Sequence, residues 1–238
     1  MLPLDRLLAL LPRPSCLLCG GRVDTGRLPL CGGCEADLPW QAGHCPTCAL
    51  PLPTNGLSCG ECLRHLPPFE RVLAPWRYAF PLDGVITRFK HQGDRPLGRL
   101  CAQLLARHLE EAFDAGLQPP DLLLPVPLAV KRQRQRGFNQ AELLARRLAG
   151  DLGLDCRTPL RRVRETPPQQ GLDAATRKRN LRQAFSLDQG TALRGLHLAL
   201  VDDVLTTGAT AAALARLLRQ AGAARVDVYC LARTGKPG

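Results

Sequence analysis

The chain has 238 residues, a formal net charge of +11, eleven cysteines and only 4% aromatic residues. So few aromatics weigh against nucleic-acid binding by base stacking. Four Cys-x-x-Cys pairs before position 63 read as metal ligands rather than a disulfide framework.

The opening MLPLDRLLALLP lacks a basic n-region and a cleavage signature, contains Asp5 and is broken by prolines. That excludes a signal peptide and a membrane span. A short amphipathic packing segment in a cytoplasmic chain is expected, where free thiolates survive.

The cysteine pairs follow: Cys16/Cys19, Cys31/Cys34, Cys45/Cys48 and Cys59/Cys62. The stretch CLLCGGRVDTGRLPLCGGCEADLP is echoed by CPTCALPLPTNGLSCGECLRHLP. Two thiolate turns complete one tetrahedral zinc site, so each repeat is a full ligand set, and two structural zinc ions in consecutive ribbons are expected. An interleaved cross-brace is the alternative pairing. A redox role fits poorly, because thioredoxin-type pairs come singly beside a βαβ pattern. The second repeat has Ala49 where the first has Gly20, which predicts a slightly strained knuckle. Apart from the leading Leu cluster and Trp40 this region offers few large apolar residues, so zinc must replace a core. Cys101, Cys156 and Cys230 lie in apolar patterns and read as core residues.

His65, Leu66, Pro67 and Pro68 read as a linker, dividing a metal module (1–68) from one α/β domain (69–238). Phe69 to Tyr78 is expected to add an antiparallel edge strand. Leu97 to Phe113 reads as a helix with Leu100, Leu104, Leu105 and Leu109 inward and His108 at the boundary. Strands are expected near 121–126, 153–158, 196–201 and 225–231, giving a parallel sheet with helices between.

The charge is uneven. Residues 1–68 hold five basic and five acidic side chains, whereas Lys131 to Arg182 hold fourteen basic against five acidic. Lys131, Arg132, Arg134 and Arg136 read as a basic loop after a buried strand that ends in Pro125 and Pro127. Asn139 then caps a helix, with Glu142 completing a capping box. Arg161 to Arg182, including Arg177 and Arg179, shows no sustained period and reads as a mobile basic flap, with a disordered linker as the alternative. A basic excess of this kind concentrates anions.

The most informative stretch is VDDVLTTGAT. Leu196 to Val201 is a nearly unbroken apolar run, as for a strand covered on both faces, and places Asp202 and Asp203 at its carboxyl end. Thr206, Thr207, Gly208, Ala209 and Thr210 form the turn into a helix whose Ala211, Leu214, Ala215 and Leu218 recur at helical spacing. Unpaired N–H groups, hydroxyls and a glycine suit a phosphate monoester. The carboxylates suit ribose hydroxyls or Mg2+.

This decapeptide resembles the PRPP motif of type I phosphoribosyltransferases. The resemblance implies that Asp202 and Asp203 hold ribose and act in catalysis, that Thr206 to Thr210 grip the 5-phosphate, that Lys131 to Arg136 match the pyrophosphate loop, and that the flap closes over PRPP. Thr206 stands where members acting on 6-oxopurines usually carry Asp, which disfavours purine salvage. More narrowly, PVPLAVKRQRQRGFNQAELLA, PPQQGLDAATRKRNLRQAF, VDDVLTTGAT, a closing LART, and the R-Y-x-F-P-L and F-K-H-Q-G-D segments of Arg77 to Asp94 are similar to the ComF family. That implies a small N-terminal double zinc-ribbon module before a type I phosphoribosyltransferase-like parallel sheet flanked by helices. It also implies a role in DNA uptake for natural transformation, with DNA-uptake or helicase machinery as partners.

Two functions compete. One is an accessory protein that binds PRPP or a related phosphoribosyl compound and single-stranded DNA; Phe138 and Phe185, beside the basic clusters, are its only obvious stacking platforms. The other is an active PRPP-dependent transferase with Mg2+ on the pyrophosphate and an unknown acceptor. Its difficulty is the short run from the last strand to Gly238, which leaves no C-terminal hood for a base and only the zinc module to supply one.

Overall fold

The computed structural model describes residues 15–23, 28–163 and 183–236. Arg177 and Arg179 of the expected flap lie outside them. Two compact units are present, 1–38 and 39–238.

In the first unit, Gly20 N donates to Cys16 O at 2.8 Å to close a tight turn. Helix α1 (Gly32–Ala36) follows, capped by Cys31, whose Sγ accepts from Cys34 N. The second unit repeats this geometry: Ala49 N donates to Cys45 O at 2.9 Å, and Cys59 caps α2 (Gly60–Arg64), its Sγ accepting from Cys62 N. The sequence repeat is thus a repeat of hydrogen bonds.

The rest of the second unit is built on a parallel sheet. Strands β1 (Val72–Leu73) and β2 (Trp76–Arg77) precede helices α3 (Leu82–Gln92) and α4 (Arg95–Asp114). Then come β3 (Leu122–Pro125), α5 (Val130–Arg136), α6 (Gln140–Leu152), β4 (Asp155–Cys156), β5 (Leu160–Arg162), β6 (Phe185–Leu187), β7 (His197–Leu205), α7 (Ala209–Gln220) and β8 (Arg225–Arg233). The sheet order is β1-β8-β7-β3-β4, with β2 also on β8. β5 and β6 form a separate antiparallel pair.

Alternate residues of the long central strands face opposite sides. Leu198, Leu200, Val226 and Val228 join Ala211, Leu214, Ala215 and Leu218 of α7 in one core, which also takes in Ala49 of the second cysteine module. Ala199, Val201, Tyr229 and Leu231 are fully buried on the other positions; α4 and α6 pack together, α6 against β3 and β7 and α4 against β8. Gly98 of α4 permits that layer to close on α3, because a Cβ there would lie 2.4 Å from the Phe89 ring.

Three local expectations are corrected. The edge segment runs parallel to β8, not antiparallel. Glu70 sets this direction: its N–H donates to Val226 O at 2.9 Å and its Oε2 accepts from Val226 N at 2.9 Å, so the segment enters at the amino end of β8. Lys131 to Arg136 form α5 rather than a loop; the run holds no breaker until Gly137, left-handed at φ 79°. Asn139 does cap α6, its Oδ1 accepting from Ala141 N at 3.1 Å, but Glu142 turns to Arg146 at 2.8 Å, so the cap is one-sided and not a capping box.

Candidate functional site

The site is created where β7 outlasts its neighbour. β3 pairs with β7 only as far as Val201, because Val126 N is the last donor, at 2.9 Å to Val201 O, and Pro127 has none. β8 continues beside β7 to Leu205. Asp202 and Asp203 therefore lie within the strand, not beyond its end, yet past the pairing with β3.

Asp203 is 4% exposed. Its Oδ1 accepts from Val204 N at 2.7 Å, and Lys90 Nζ lies 3.0 Å from its Oδ2. Asp202 is half-buried, with Oδ1 accepting from Asp203 N at 2.9 Å. Burial, followed by the neighbouring Asp203 charge, pushes the Asp202 carboxyl up to about 8. One lysine does not offset two carboxylates, so the pair is poised for a cation or hydroxyl donors.

Thr206 to Gly208 form the bend into α7. Gly208 sits at the helix N-cap in the left-handed region, φ 75°, where a side chain would be strained. Thr207 Oγ1 accepts from Ala209 N at 3.3 Å. Thr206, Thr207 and Ala209 are exposed, so the loop's donors other than Ala209 N are open to a ligand.

A groove of about 590 Å³ is lined by His91, Gln92 and Gly93 at the end of α3 and by Arg132, Gln135 and Arg136 of α5. Arg132, which is exposed, and the half-buried Arg136 line this groove, whereas Lys131 and Arg134 do not. Of the expected stacking platforms, Phe185 is 7% exposed and Phe138 packs on Phe89 with centroids 5.8 Å apart. Lys90, which pairs with Asp203, was not legible as a site residue: F-K-H-Q-G-D stands out as a motif, but nothing local ties it to the acidic pair.

The cysteines form two clusters, Cys16/Cys19/Cys31/Cys34 and Cys45/Cys48/Cys59/Cys62, each with its sulfurs within 4.8 Å of one another. The pairing is consecutive. A tetrahedral zinc with sulfur at about 2.3 Å has sulfur–sulfur edges of about 3.8 Å; Cys19 and Cys31 are 3.7 Å apart and Cys48 and Cys59 are 3.6 Å apart. The fit is good in both. Burial works against ionising Cys45, but converging backbone N–H groups of Cys59, Cys48 and Thr47 draw it down to about 6. Cys62 is pushed up, chiefly by burial, so four thiolates together require a cation. Ala49 is left-handed at φ 52°, the strain expected of a non-glycine there. Its methyl is 1% exposed in the core, which offsets that cost. Cys101 and Cys230 are core residues, at 1% and 0% exposed.

Comparison with known proteins agrees with this architecture. The double zinc ribbon domain family matches residues 7–63 and the phosphoribosyl transferase domain family matches residues 99–237. The chain is similar to "DNA utilization protein YhgH" of Salmonella typhimurium, 39% identical over 92% of this chain and 96% of that one. It is similar to "Competence protein F" of Haemophilus influenzae, 35% identical over the same shares, and to "Competence protein ComFC" of Bacillus subtilis, 28% identical over 86% and 84%. Among the described residues no helix is long and apolar enough to cross a membrane. With two four-cysteine clusters ahead of a parallel sheet that carries the acidic pair and threonine loop, the chain belongs to the ComF family of double zinc ribbon and phosphoribosyltransferase-domain proteins.

Proposed function

We propose that this protein binds PRPP or a related phosphoribosyl compound and single-stranded DNA, and serves DNA uptake in the cytoplasm. The observation that carries the reading is the coincidence of Asp202 and Asp203 with the open Thr206–Thr210 bend at the start of α7. Asp202 and Asp203 accept hydrogen bonds from the ribose hydroxyls, and the first N–H groups of α7 with the threonine hydroxyls hold the 5-phosphate. Lys90 holds Asp203 in place. Mg2+, if carried in on the ligand's pyrophosphate, would neutralise part of its charge, with Asp202 and Asp203 the carboxylates available to it and Arg132 and Arg136 of the groove supplying positive charge. The names of the relatives support a role with DNA, and the basic α5 supports a track for a phosphodiester backbone.

A transferase with an unknown acceptor is the second reading. It is favoured by the Asp202 carboxyl near 8, since an acid–base catalyst works best when it titrates near ambient pH. The test is PRPP with Mg2+, alone and with nucleobases, nucleotides and single-stranded DNA, followed by calorimetry and by pyrophosphate release. Binding without release supports the accessory role. Release that depends on one acceptor supports the transferase, and no binding in any mixture overturns both.

A further inference from the structure

We propose that Arg233 is a positioning residue that couples metal occupancy of the second four-cysteine module to the donor geometry of the Thr206–Thr210 loop. The proposal rests on the reading of that loop as an anion site. Arg233 closes β8, a strand otherwise almost wholly buried, and is itself 7% exposed. Its guanidinium spans two parts of the unit. Nε donates to Cys48 O at 3.0 Å. Nη1 is shared among Leu205 O at 3.2 Å, Thr234 O at 2.8 Å and Thr206 O.

In a trans peptide the carbonyl and the following N–H point in opposite directions. Holding the oxygens of Leu205 and Thr206 toward Arg233 therefore turns the N–H groups of Thr206 and Thr207 away from it. Those are the groups that open the bend into α7. At the other end the same rule applies: with Cys48 O held outward, Ala49 N points inward to Cys45 O at 2.9 Å and closes the knuckle. Cys48 Sγ stands 3.6 Å from Cys59 Sγ, so a metal that fixes the four sulfurs also fixes the carbonyl on which Nε rests. A planar guanidinium transmits this because its donors keep fixed mutual angles, which a lysine ammonium does not. Loss of the second metal frees Cys48, and Arg233 then no longer holds the two loop peptides in one orientation.

The test uses the zinc-loaded full chain and amide hydrogen exchange over residues 205–209, read beside calorimetry with PRPP and Mg2+. Removing zinc from the second module by Cys59→Ser with Cys62→Ser, or from both modules by chelator, is expected to speed loop exchange and weaken PRPP by about tenfold each. Cys16→Ser with Cys19→Ser, in the other module, is expected to change neither. In Arg233→Gln the loop should exchange fast whether or not the second site holds zinc, and Arg233→Lys should fall between. Loop exchange that ignores second-module zinc in the unmutated protein, or a zinc effect that survives intact in Arg233→Gln, overturns the coupling. If exchange follows zinc but PRPP does not bind the intact protein, the coupling stands and the phosphate-site reading fails.

Discussion

Replacing Asp202 with Asn should stabilise the unliganded protein at alkaline pH while weakening its hold on PRPP. In the folded chain this carboxyl is pushed from 3.8 up to about 8 by burial and by Asp203. At about 1.4 kcal/mol per pH unit, full ionisation costs the folded state at most roughly 6 kcal/mol. The folded value lies above the unfolded one, so the stabilising contribution of the protonated group is complete below about pH 4 and drains away as pH rises to about 8. Asparagine carries no such proton, and its difference from the parent should grow across that window. Between about pH 6 and pH 8, where thiolate sites retain zinc, the difference should widen by roughly 2 kcal/mol, or about 4–8 °C in Tm for a chain of this size. Circular-dichroism melts of both zinc-loaded proteins at three pH values measure it. Parallel Tm profiles would refute the reasoning, because they would mean that Asp202 is ionised in the fold at no cost. A gain in stability with a loss of ligand is the signature of a functional charge.

Metal analysis should find two zinc ions per chain, released together by a thiol reagent, and Cys45→Ser with Cys59→Ser should leave one. Gly98→Ala places a methyl 2.4 Å from the Phe89 ring, itself 1% exposed. A loss of about 1–3 kcal/mol in denaturant melts is expected, partly restored by Phe89→Leu; no loss would mean that α3 and α4 separate freely. If Arg132 and Arg136 track single-stranded DNA, changing both to Ala should lower the slope of log affinity against log salt by about 1.4. An unchanged slope removes α5 from the track.

The motifs were legible because each depends on covalent neighbours. Four thiolate turns, an apolar run ending in two aspartates, and a threonine-rich bend before a helical stripe are all short-range patterns, and each appears at the expected residues. Even the strain at Ala49 could be read, from one comparison between repeats. What failed was the basic run Lys131 to Arg136, read as a loop but helical, the capping box expected of Glu142, and above all direction and partnership. The edge segment is parallel because Glu70 is anchored at the amino end of β8, some 156 residues away in sequence. Lys90 reaches Asp203 only because α3 ends beside the carboxyl end of β7, and Arg233 finds Cys48 across 185 residues. No periodicity encodes such pairs. A buried charge is satisfied by whatever donor or acceptor packing brings within reach, so the sequence determined which groups the site would contain, and the packing of the sheet decided which of them meet.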